Sequence, residues 1–433
     1  MSASGSTAEA TWSAPGRLNL IGEHTDYNDG FVLPLALPYV ATAVVRRTTS
    51  GVLRFRSAQR PDEPAEVPLA ELVPGRVSGW AAYAAGPVWA LADRGLLRLA
   101  DPAGGGDPAA EPEPLRGLEI DLDSRVPEGA GLSSSAALEC AVITAVDDLF
   151  GLGLGRQDLA LLAQHAENDF VGVPTGMMDQ MAAMLCHTGA ALFLDTRTLT
   201  GEQVPLNLDA QGLALMVIDT RTPHQLVTGE YAARRRSCEE AAALLGVRGL
   251  RDISTVNLHQ VLAELPDDTL RRRVRHVVTE DDRVLRAVAL LRAERYRDIG
   301  PLLTASHASL RDDYQVTVPQ LDVAVAAALG AGALGARMTG GGFGGCVLAL
   351  VEAAGGGSAG RGSAGGGSAG GDMDGDGVDG TSAVRTAVEA AYAAHGFDQP
   401  LFFAGTPSQG AYRHDPDPED PAPEDPATED PTP

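Results

Sequence analysis

Hydrophobic and polar positions follow two different periods along this chain. Apolar runs rich in β-branched residues, or alternating with polar ones, predict strands at Tyr39–Val45, Val52–Ser57, Gly117–Leu122, Leu213–Asp219 and Cys346–Val351. Two further segments repeat apolar residues at helical spacing: Leu138, Val142, Ala145, Val146 and Leu149, and then Leu321, Val325, Ala328 and Leu329. Gly151 and Gly330 are the expected C-terminal signals of these helices, and Pro319 is the start signal of the second. The mixture predicts an α+β fold.

Three segments break this pattern. Residues 101–114 suggest a surface loop, residues 355–380 a flexible Gly/Ser-rich insertion, and residues 414–433 a disordered acidic, Pro-rich tail. A helix candidate at Val384–Ala394 and a strand candidate at Pro400–Ala404 follow the insertion. We therefore expect the core to resume there, so that truncation at Ala354 would remove part of it.

Composition narrows the class of protein. The 433 residues carry a formal net charge of −25, which argues against a broad nucleic-acid footprint. The chain contains no lysine, and every basic residue is arginine. A Walker-type phosphate loop, a protein kinase and a Schiff-base enzyme all need a lysine, so these three classes are excluded.

The same composition indicates a cytoplasmic protein. No apolar run reaches the roughly 18 residues of a membrane span, and the first ten residues lack the pattern of a signal peptide. The widely spaced cysteines form no CxxC pair, so we expect reduced, mostly buried thiols: Cys140, Cys186, Cys238 and Cys346.

The segment Val126–Leu138 has the composition of a phosphate-binding loop. Gly129 and Gly131 allow the backbone to approach a ligand, and three serines stand where a helix begins. Free N–H groups and the positive end of the helix dipole favour a polyphosphate there, without any lysine. The alternative is a glycine turn followed by a serine N-cap.

Acidic residues supply candidates for the remaining chemistry. Glu167 ends the helical pattern Asp158–Ala166, and Asp179 lies twelve residues further on. A phosphoryl transfer to a hydroxyl needs a Mg²⁺ ligand and a group that accepts the hydroxyl proton, and these two carboxylates suit both roles. Solvated acids at helix ends are the alternative.

Two more segments have an unusual composition, one dense in polar side chains and the other in glycine. Ala14–Asn28 places Arg17 and the loop Glu23–Asp26 near the ends of a short strand. The Glu, His and Asp side chains of this loop can accept hydrogen bonds from neighbouring sugar hydroxyls. Its alternatives are a solvated loop or a zinc site, although the spacing is not that of an HExxH helix. Gly340–Gly345 contains five glycines in six positions and predicts close approach of the backbone to a ligand or to another loop. A flexible turn is the alternative for this run.

Together these segments resemble the GHMP kinase family. The motifs are Gly16–Asn28, which resembles the branch of the family that phosphorylates galactose, the phosphate loop Pro127–Ala136, and Met338–Cys346. The resemblance covers about residues 12–350 and resumes near Val384. It implies two α+β domains with the active site between them, the first containing a ribosomal-protein-S5-like sheet. The expected domains are residues 11–205 and 206–413, the second interrupted by the insertion.

The resemblance also implies roles for individual residues. Asp179 and Arg17 match catalytic positions, and sugar-binding positions fall on Glu23, His24, Thr25, Asp26, Gly176 and Tyr231. ATP-binding positions fall on Ser57, Gly129, Ala130, Gly131, Leu132, Ser133, Ser134 and Ser135. Ser135 and Glu167 match the Mg²⁺ ligands, and Trp80 and Tyr83 are candidates for the base pocket.

The activity implied by the resemblance is ATP- and Mg²⁺-dependent phosphorylation of α-D-galactose at its anomeric hydroxyl, the first committed step of the Leloir pathway. We expect a monomer that binds galactose and ATP, with no nucleic acid, membrane or obligate protein partner. An N-acetylgalactosamine kinase and a non-catalytic sensor of galactose and ATP are the alternatives. An intact phosphate loop, with Arg17 and Asp179 both present, favours catalysis over the sensor.

Overall fold

The computed structural model describes residues 10–100, 113–222, 227–353 and 380–414. The predicted loop, insertion and tail therefore lie almost wholly outside the described residues and stay predictions. Strands and helices are mixed along the chain, and most neighbouring strands pair antiparallel. The α+β class predicted from the hydrophobic pattern is therefore confirmed.

Three sheets organise the described chain. The largest has the order β13-β1-β3-β6-β4-β5 and is antiparallel except for the β4/β6 pair. Its strands are β1 (Thr11–Asn19), β3 (Pro34–Arg47), β4 (Val52–Ser57), β5 (Ala65–Pro68), β6 (Leu118–Ser124) and β13 (Tyr412–Arg413). A small sheet has the order β2-β7-β8, formed by Phe31–Val32, Ala190–Asp195 and Thr200–Pro205. The last has the order β10-β11-β9-β12, formed by Gly335–Thr339, Cys346–Glu352, Leu213–Asp219 and Leu401–Ala404.

Helices cover these sheets. Those of the first half are α1 (Trp80–Asp93), α2 (Ser134–Phe150), α3 (Arg156–His165) and α4 (Met178–Leu185). Those of the second half are α5 (Val227–Leu245), α6 (Leu258–Glu264), α7 (Asp268–Arg292), α8 (Gly300–Ser309), α9 (Pro319–Gly330) and α10 (Gly380–His395). Two short π-helical segments, Ala166–Val171 and Leu310–Tyr314, continue α3 and α8. Among the described residues, none of the helices has the length and apolar character that crossing a bilayer requires.

Local signals explain one end of α2 and one end of α9. Gly151 adopts a left-handed conformation at the end of α2, as a C-terminal glycine should. Pro319 begins α9, but Gly330 is the last helical residue rather than the first one beyond it, and Ala331 caps the helix. The segments β12 and α10 form where they were predicted, so the fold does resume after residue 379.

A shared hydrophobic cluster joins the two halves. Leu18 and Leu35 of the large sheet pack in the same buried cluster as Leu215 of β9 and Val284 of α7. The chain also returns at its end, since β13 pairs with β1. Both halves thereby pack around β1, which contains the first part of the polar motif Ala14–Asn28. The predicted domain boundaries stay predictions.

Candidate active site

A cavity of about 690 Å³ opens beside the end of β1 and is lined by both halves of the chain. Its wall includes most of the sequence-predicted site residues: Arg17, Glu23, His24, Asp26, Gly129, Gly131, Leu132, Ser133, Ser134, Ser135, Glu167, Gly176, Asp179 and Tyr231. Trp80 and Tyr83, on the first turn of α1, line the same cavity.

Three predicted residues are not on this wall. Thr25 is buried, and its hydroxyl donates to the carbonyl oxygens of Gly22 and Phe31, so it shapes the loop from within. Ala130 packs in the hydrophobic core. Ser57 lies at the end of β4, where its hydroxyl is 3.4 Å from Gln59 Oε1.

Arg17 and Asp179 form an ion pair in the middle of the wall. Arg17 Nε donates to Asp179 Oδ1 at 2.8 Å, and its Nη1 donates to the Gly131 carbonyl at 2.7 Å. The β1/β3 pairing is irregular between Pro15 and Arg17, directly before this side chain. Burial lowers the pKa of Arg17, but the carboxylates of Asp179, Glu23 and Asp26 outweigh it and raise the pKa. The guanidinium is therefore a fixed positive charge between loop and carboxylate.

The phosphate loop turns sharply before α2 begins. Gly129 and Gly131 have φ values of 72° and 73°, and Ser133 has the left-handed φ of 60° that non-glycine residues rarely adopt. The Ser133 hydroxyl makes no capping hydrogen bond to the helix; it donates to Asp179 Oδ2. Ser133 therefore stands at the N-cap position of α2 but lacks the side-chain capping bond that a serine N-cap would make. Since a strained residue needs compensating contacts, its bond to Asp179 gives this conformation a structural reason.

The second glycine run closes against this loop. A Cβ added at Gly340, where φ is 85°, would lie 2.8 Å from the Gly131 carbonyl oxygen. The Gly340 N–H also donates to Glu23 Oε1 at 2.8 Å, and Thr339 Oγ1 lies 3.1 Å from the same oxygen. The prediction of close backbone approach is confirmed. The run connects the phosphate loop with the polar N-terminal motif.

The end of the cavity near Asp26 is deeply buried and polar. Burial, and then the charge of Asp179, raise the pKa of Asp26 to about 6. Burial also lowers the pKa of His24 well below its usual value and raises that of Tyr231, so both are uncharged near neutral pH. His24 Nε2 is buried without a hydrogen-bond partner among the described groups. An uncharged imidazole, a phenol and carboxylates suit the hydroxyls of a sugar.

Glu167 belongs to the π-helical segment Ala166–Val171, a type of irregularity that often occurs at functional sites. Its Oε1 accepts from the Ser135 hydroxyl at 3.0 Å, and its Oε2 accepts from Gln180 Nε2 at 2.7 Å and Thr175 Oγ1 at 2.9 Å. Burial, and then Asp179, raise the pKa of Glu167. An adjoining hydroxyl and carboxylate oxygen are ligands that Mg²⁺ prefers, so this pair fits the ion. The described residues contain no cluster of three or more His, Cys, Asp or Glu side chains arranged to hold a metal.

Some wall residues were not predicted as site residues: Arg60, Glu128, Thr175, Gly340 and Gly341. Glu128 and the two glycines lie inside motifs that the sequence analysis had singled out. No local pattern distinguishes Arg60 or Thr175 from ordinary surface polar residues. Arg60 reaches the wall through an ion pair with Glu128, at 3.0 Å.

Family models match three parts of the chain: the GHMP kinases N terminal domain at residues 92–187, the galactokinase galactose-binding signature at residues 2–47, and GHMP kinases C terminal at residues 287–359. The fold and the site define a GHMP kinase.

Individual relatives narrow the assignment. A galactokinase of Streptomyces coelicolor is 48% identical over 94% of this chain and 95% of its own length. That of Mycobacterium tuberculosis strain H37Rv is 46% identical, covering 79% of this chain and 89% of that protein. The solved structure of Lactococcus lactis galactokinase complexed with galactose superposes with a TM-score of 0.80 and 32% identity, over 94% of this chain and 95% of that one. A mevalonate kinase, with a TM-score of 0.59 and 16% identity, shares the fold alone. The chain belongs to the galactokinase family.

Proposed function

We propose that this chain transfers the γ-phosphoryl group of ATP to the anomeric hydroxyl of α-D-galactose, giving galactose 1-phosphate and ADP. The observation that carries this proposal is the position of Asp179. One carboxylate oxygen is bound by Arg17, and the other by Ser133 of the phosphate loop. The carboxylate is thus at the junction between the polar end of the cavity and the phosphate loop, where a hydroxyl must meet a phosphoryl group.

The polar end of the cavity is the proposed galactose site. Asp26, Glu23, His24 and Tyr231 supply different hydrogen-bonding groups within one small volume. Glu23 is held by the Gly340 N–H, so its position is fixed before any sugar arrives. A sugar that lacks a matching hydroxyl, or carries one in the wrong direction, would leave buried groups unpaired at a cost of about 1–3 kcal/mol each. Specificity follows from this requirement, and the galactose complex of the Lactococcus lactis relative supports the same sugar.

In the proposed mechanism, Asp179 orients the anomeric hydroxyl and accepts its proton as the phosphoryl group is transferred. Arg17 holds one oxygen of this carboxylate through its Nε and offsets negative charge that develops nearby. Ser133 keeps the second carboxylate oxygen in place. Phosphoryl transfer is catalysed mostly by positioning and electrostatics, and these fixed groups supply both.

Gly129–Ser135 would bind the ATP phosphates, with free N–H groups at the start of α2 facing them. Ser135 and Glu167 would hold Mg²⁺, which when bound neutralises phosphate charge. Thr175 and Gln180 orient Glu167 for this role. Trp80 and Tyr83 supply the aromatic part of the wall for the base.

We place the reaction in the cytoplasm, within galactose metabolism. All four cysteines are free and buried, which fits a reducing compartment. We further propose that the protein acts as a monomer.

The test is ADP release from ATP and Mg²⁺ with galactose, N-acetylgalactosamine, glucose or no sugar. Release with galactose, and a phosphate on C1 of the product by ³¹P and ¹³C NMR, is the expected result. Release with N-acetylgalactosamine alone would retain the mechanism and change the substrate. Galactose binding without any sugar-dependent release would contradict catalysis and favour a sensor.

A further inference from the structure

Helix α7, in the second half of the chain, binds the backbone of the loop Gly22–Phe31, which carries most of the proposed galactose contacts. Glu280 Oε1 accepts from the Gly22 N–H at 3.1 Å. His276 Nε2 lies 3.1 Å from the Glu23 carbonyl oxygen. A carbonyl oxygen can only accept, so the imidazole donates in this bond. One helix thus holds two consecutive residues of the loop.

A third contact comes from the neighbouring position of α7. Asp281 Oδ1 accepts from the Phe31 N–H at 2.9 Å, at the far end of the loop. His276 and Glu280 are one helical turn apart and fully buried, and Asp281 is 7% exposed. All three lie behind the cavity wall, not on it. Their role is therefore not contact with a bound sugar.

The peptide between Glu23 and His24 shows what these contacts hold in place. His24 has a left-handed φ of 64°, which non-glycine residues rarely adopt. The carbonyl that His276 binds belongs to the peptide that joins Glu23 to His24. On the other side, Asn28 Nδ2 donates to the His24 carbonyl at 2.9 Å. A strained conformation persists only where such contacts surround it.

The carboxylate of Glu280 is itself fixed. Arg283 Nε donates to its Oε2 at 2.7 Å, and the Ser306 hydroxyl of α8 donates to its Oε1 at 2.6 Å. A buried carboxylate is costly unless it is paired and hydrogen-bonded, and here one of its bonds goes to the loop. A Cβ added at Gly22 would lie 2.9 Å from Val284 Cγ2, so helix and loop are also in direct contact.

We propose that His276, Glu280 and Asp281 are positioning residues for the galactose site: they hold the loop so that His24 keeps its left-handed conformation and faces the cavity. The effect on the sugar rests on the proposed function, whereas the hold on the loop does not. Without the His276 donor, the Glu23 carbonyl loses its partner and the backbone of His24 relaxes toward negative φ. Galactose must then select a less populated loop conformation, which weakens its binding and leaves the ATP site unchanged.

The discriminating comparison is His276→Gln with His276→Phe, by steady-state kinetics. The Gln amide can place its nitrogen near the position of Nε2 and donate to the Glu23 carbonyl, whereas Phe retains a ring and cannot donate. Both variants lose the contact of Nδ1 with Ser309 Oγ, at 3.0 Å. We expect His276→Phe to raise the KM for galactose about 10-fold with the KM for ATP within about 2-fold, and His276→Gln to change both less than about 3-fold.

If His276 served packing alone, Phe would be the milder change. An equal or greater rise of the KM for galactose in His276→Gln, or an unchanged value in His276→Phe, would therefore overturn the proposal. Thr279→Val is the matched control and should change neither KM. Thr279 lies on the same helix, but its hydroxyl donates to the Arg275 carbonyl within that helix, at 2.7 Å.

Hydrogen exchange of the full-length, sugar-free proteins, followed by mass spectrometry, tests the hold on the loop without any substrate. We expect faster exchange in peptides that contain residues 22–31 of His276→Phe, and rates close to those of the unaltered chain in His276→Gln and Thr279→Val. Unchanged exchange in folded His276→Phe would overturn the proposal. Faster exchange with an unchanged KM for galactose would overturn the link between the loop and the sugar. Absence of galactose phosphorylation by the unaltered chain would instead contradict the proposed function.

Glu280→Gln and Glu280→Met repeat the test if His276→Phe does not fold. The two side chains are similar in size and both lack the negative charge, but only Gln retains an acceptor for the Gly22 N–H. We expect the KM for galactose to rise more in Glu280→Met than in Glu280→Gln. Equal values in the two folded variants would overturn the role of this contact.

Discussion

Gly176 lies directly against the carboxylate of Asp26, so close that a Cβ atom added at Gly176 would overlap Asp26 Oδ2 and Cγ. The glycine does not need a left-handed backbone here; it is needed for space. This contact keeps Asp26 in the polar end of the cavity, where the residue is 9% exposed. Substitutions at position 176 should therefore act on the sugar site through Asp26.

Gly176→Ala should raise the KM for galactose by at least about 10-fold, because the displaced carboxylate can no longer pair with sugar hydroxyls. The KM for ATP should change less than about 2-fold. Steady-state kinetics with each substrate varied would measure both values. Gly330→Ala is the control, since a Cβ there meets nothing within 4 Å and Gly330 is an exposed residue at the end of α9. An unchanged KM for galactose in Gly176→Ala would contradict the role of Asp26.

Asp179→Asn should lower kcat by at least about 10²-fold, the usual effect of removing a general base. Its amide retains the shape of the side chain but places a donor near Arg17 or Ser133. Calorimetric titration with galactose should still detect binding, and the melting temperature should show that the fold persists. Near-normal turnover in this folded variant would exclude Asp179 as proton acceptor.

Galactose affinity should depend on pH through Asp26. Burial raises the pKa of this group from 3.8 to about 6, so the folded protein holds a proton there that the unfolded chain has already lost. The free energy that this group contributes to stability is therefore greatest below about pH 4 and is lost as the pH rises through 6. The affinity for galactose has the opposite pH dependence and increases as the pH rises, because the ionised carboxylate is the better hydrogen-bond acceptor.

We expect the dissociation constant for galactose to fall by about 10-fold or less as the pH rises from 5 to 7. Asp26→Asn should bind weakly and without this inflection. His24 should not contribute, since its pKa lies well below the usual value. Titration calorimetry across the range would measure the effect, and an identical pH profile in Asp26→Asn would assign the inflection to another group.

Much of this site could be predicted from the sequence because its chemistry is concentrated in short segments. The phosphate loop, the motif around Arg17 and the glycine run each have an unusual local composition. Strands Val52–Ser57 and Leu213–Asp219 also have the predicted bounds. The strand predicted at Tyr39–Val45 is longer in the structure and spans Pro34–Arg47.

Contacts between distant segments could not be predicted in this way. Nothing local to Ser133 indicates that its hydroxyl bonds to Asp179, 46 residues away, instead of capping α2. The hydroxyl of Tyr27 likewise meets that of Tyr314, 287 positions away. Such pairs depend on how sheets and helices pack, and hydrophobic period carries no information about which buried hydroxyls meet.

Glu352 and Gly380 flank the segment of residues 354–379, and their distance predicts how the protein responds to its replacement. A Cβ added at Gly380 would lie 2.6 Å from the Glu352 carbonyl oxygen, so the two described residues that flank this segment lie side by side. Replacing residues 354–379 with four Gly/Ser residues should therefore leave kcat within about 2-fold and the melting temperature within about 2 °C, a shift of less than about 1 kcal/mol.

Truncation after Ala353 should behave differently, because it removes α10 and β12. Val384, Val388 and Tyr392 are all fully buried, and β12 pairs with β9 in the sheet. Burying three such side chains contributes about 5–9 kcal/mol, comparable with the whole stability of a typical domain. We expect the truncated chain to lose cooperative thermal unfolding, measured by circular dichroism, and all activity. A truncated protein that melts cooperatively near the full-length temperature would show that the core is complete without residues 380–414.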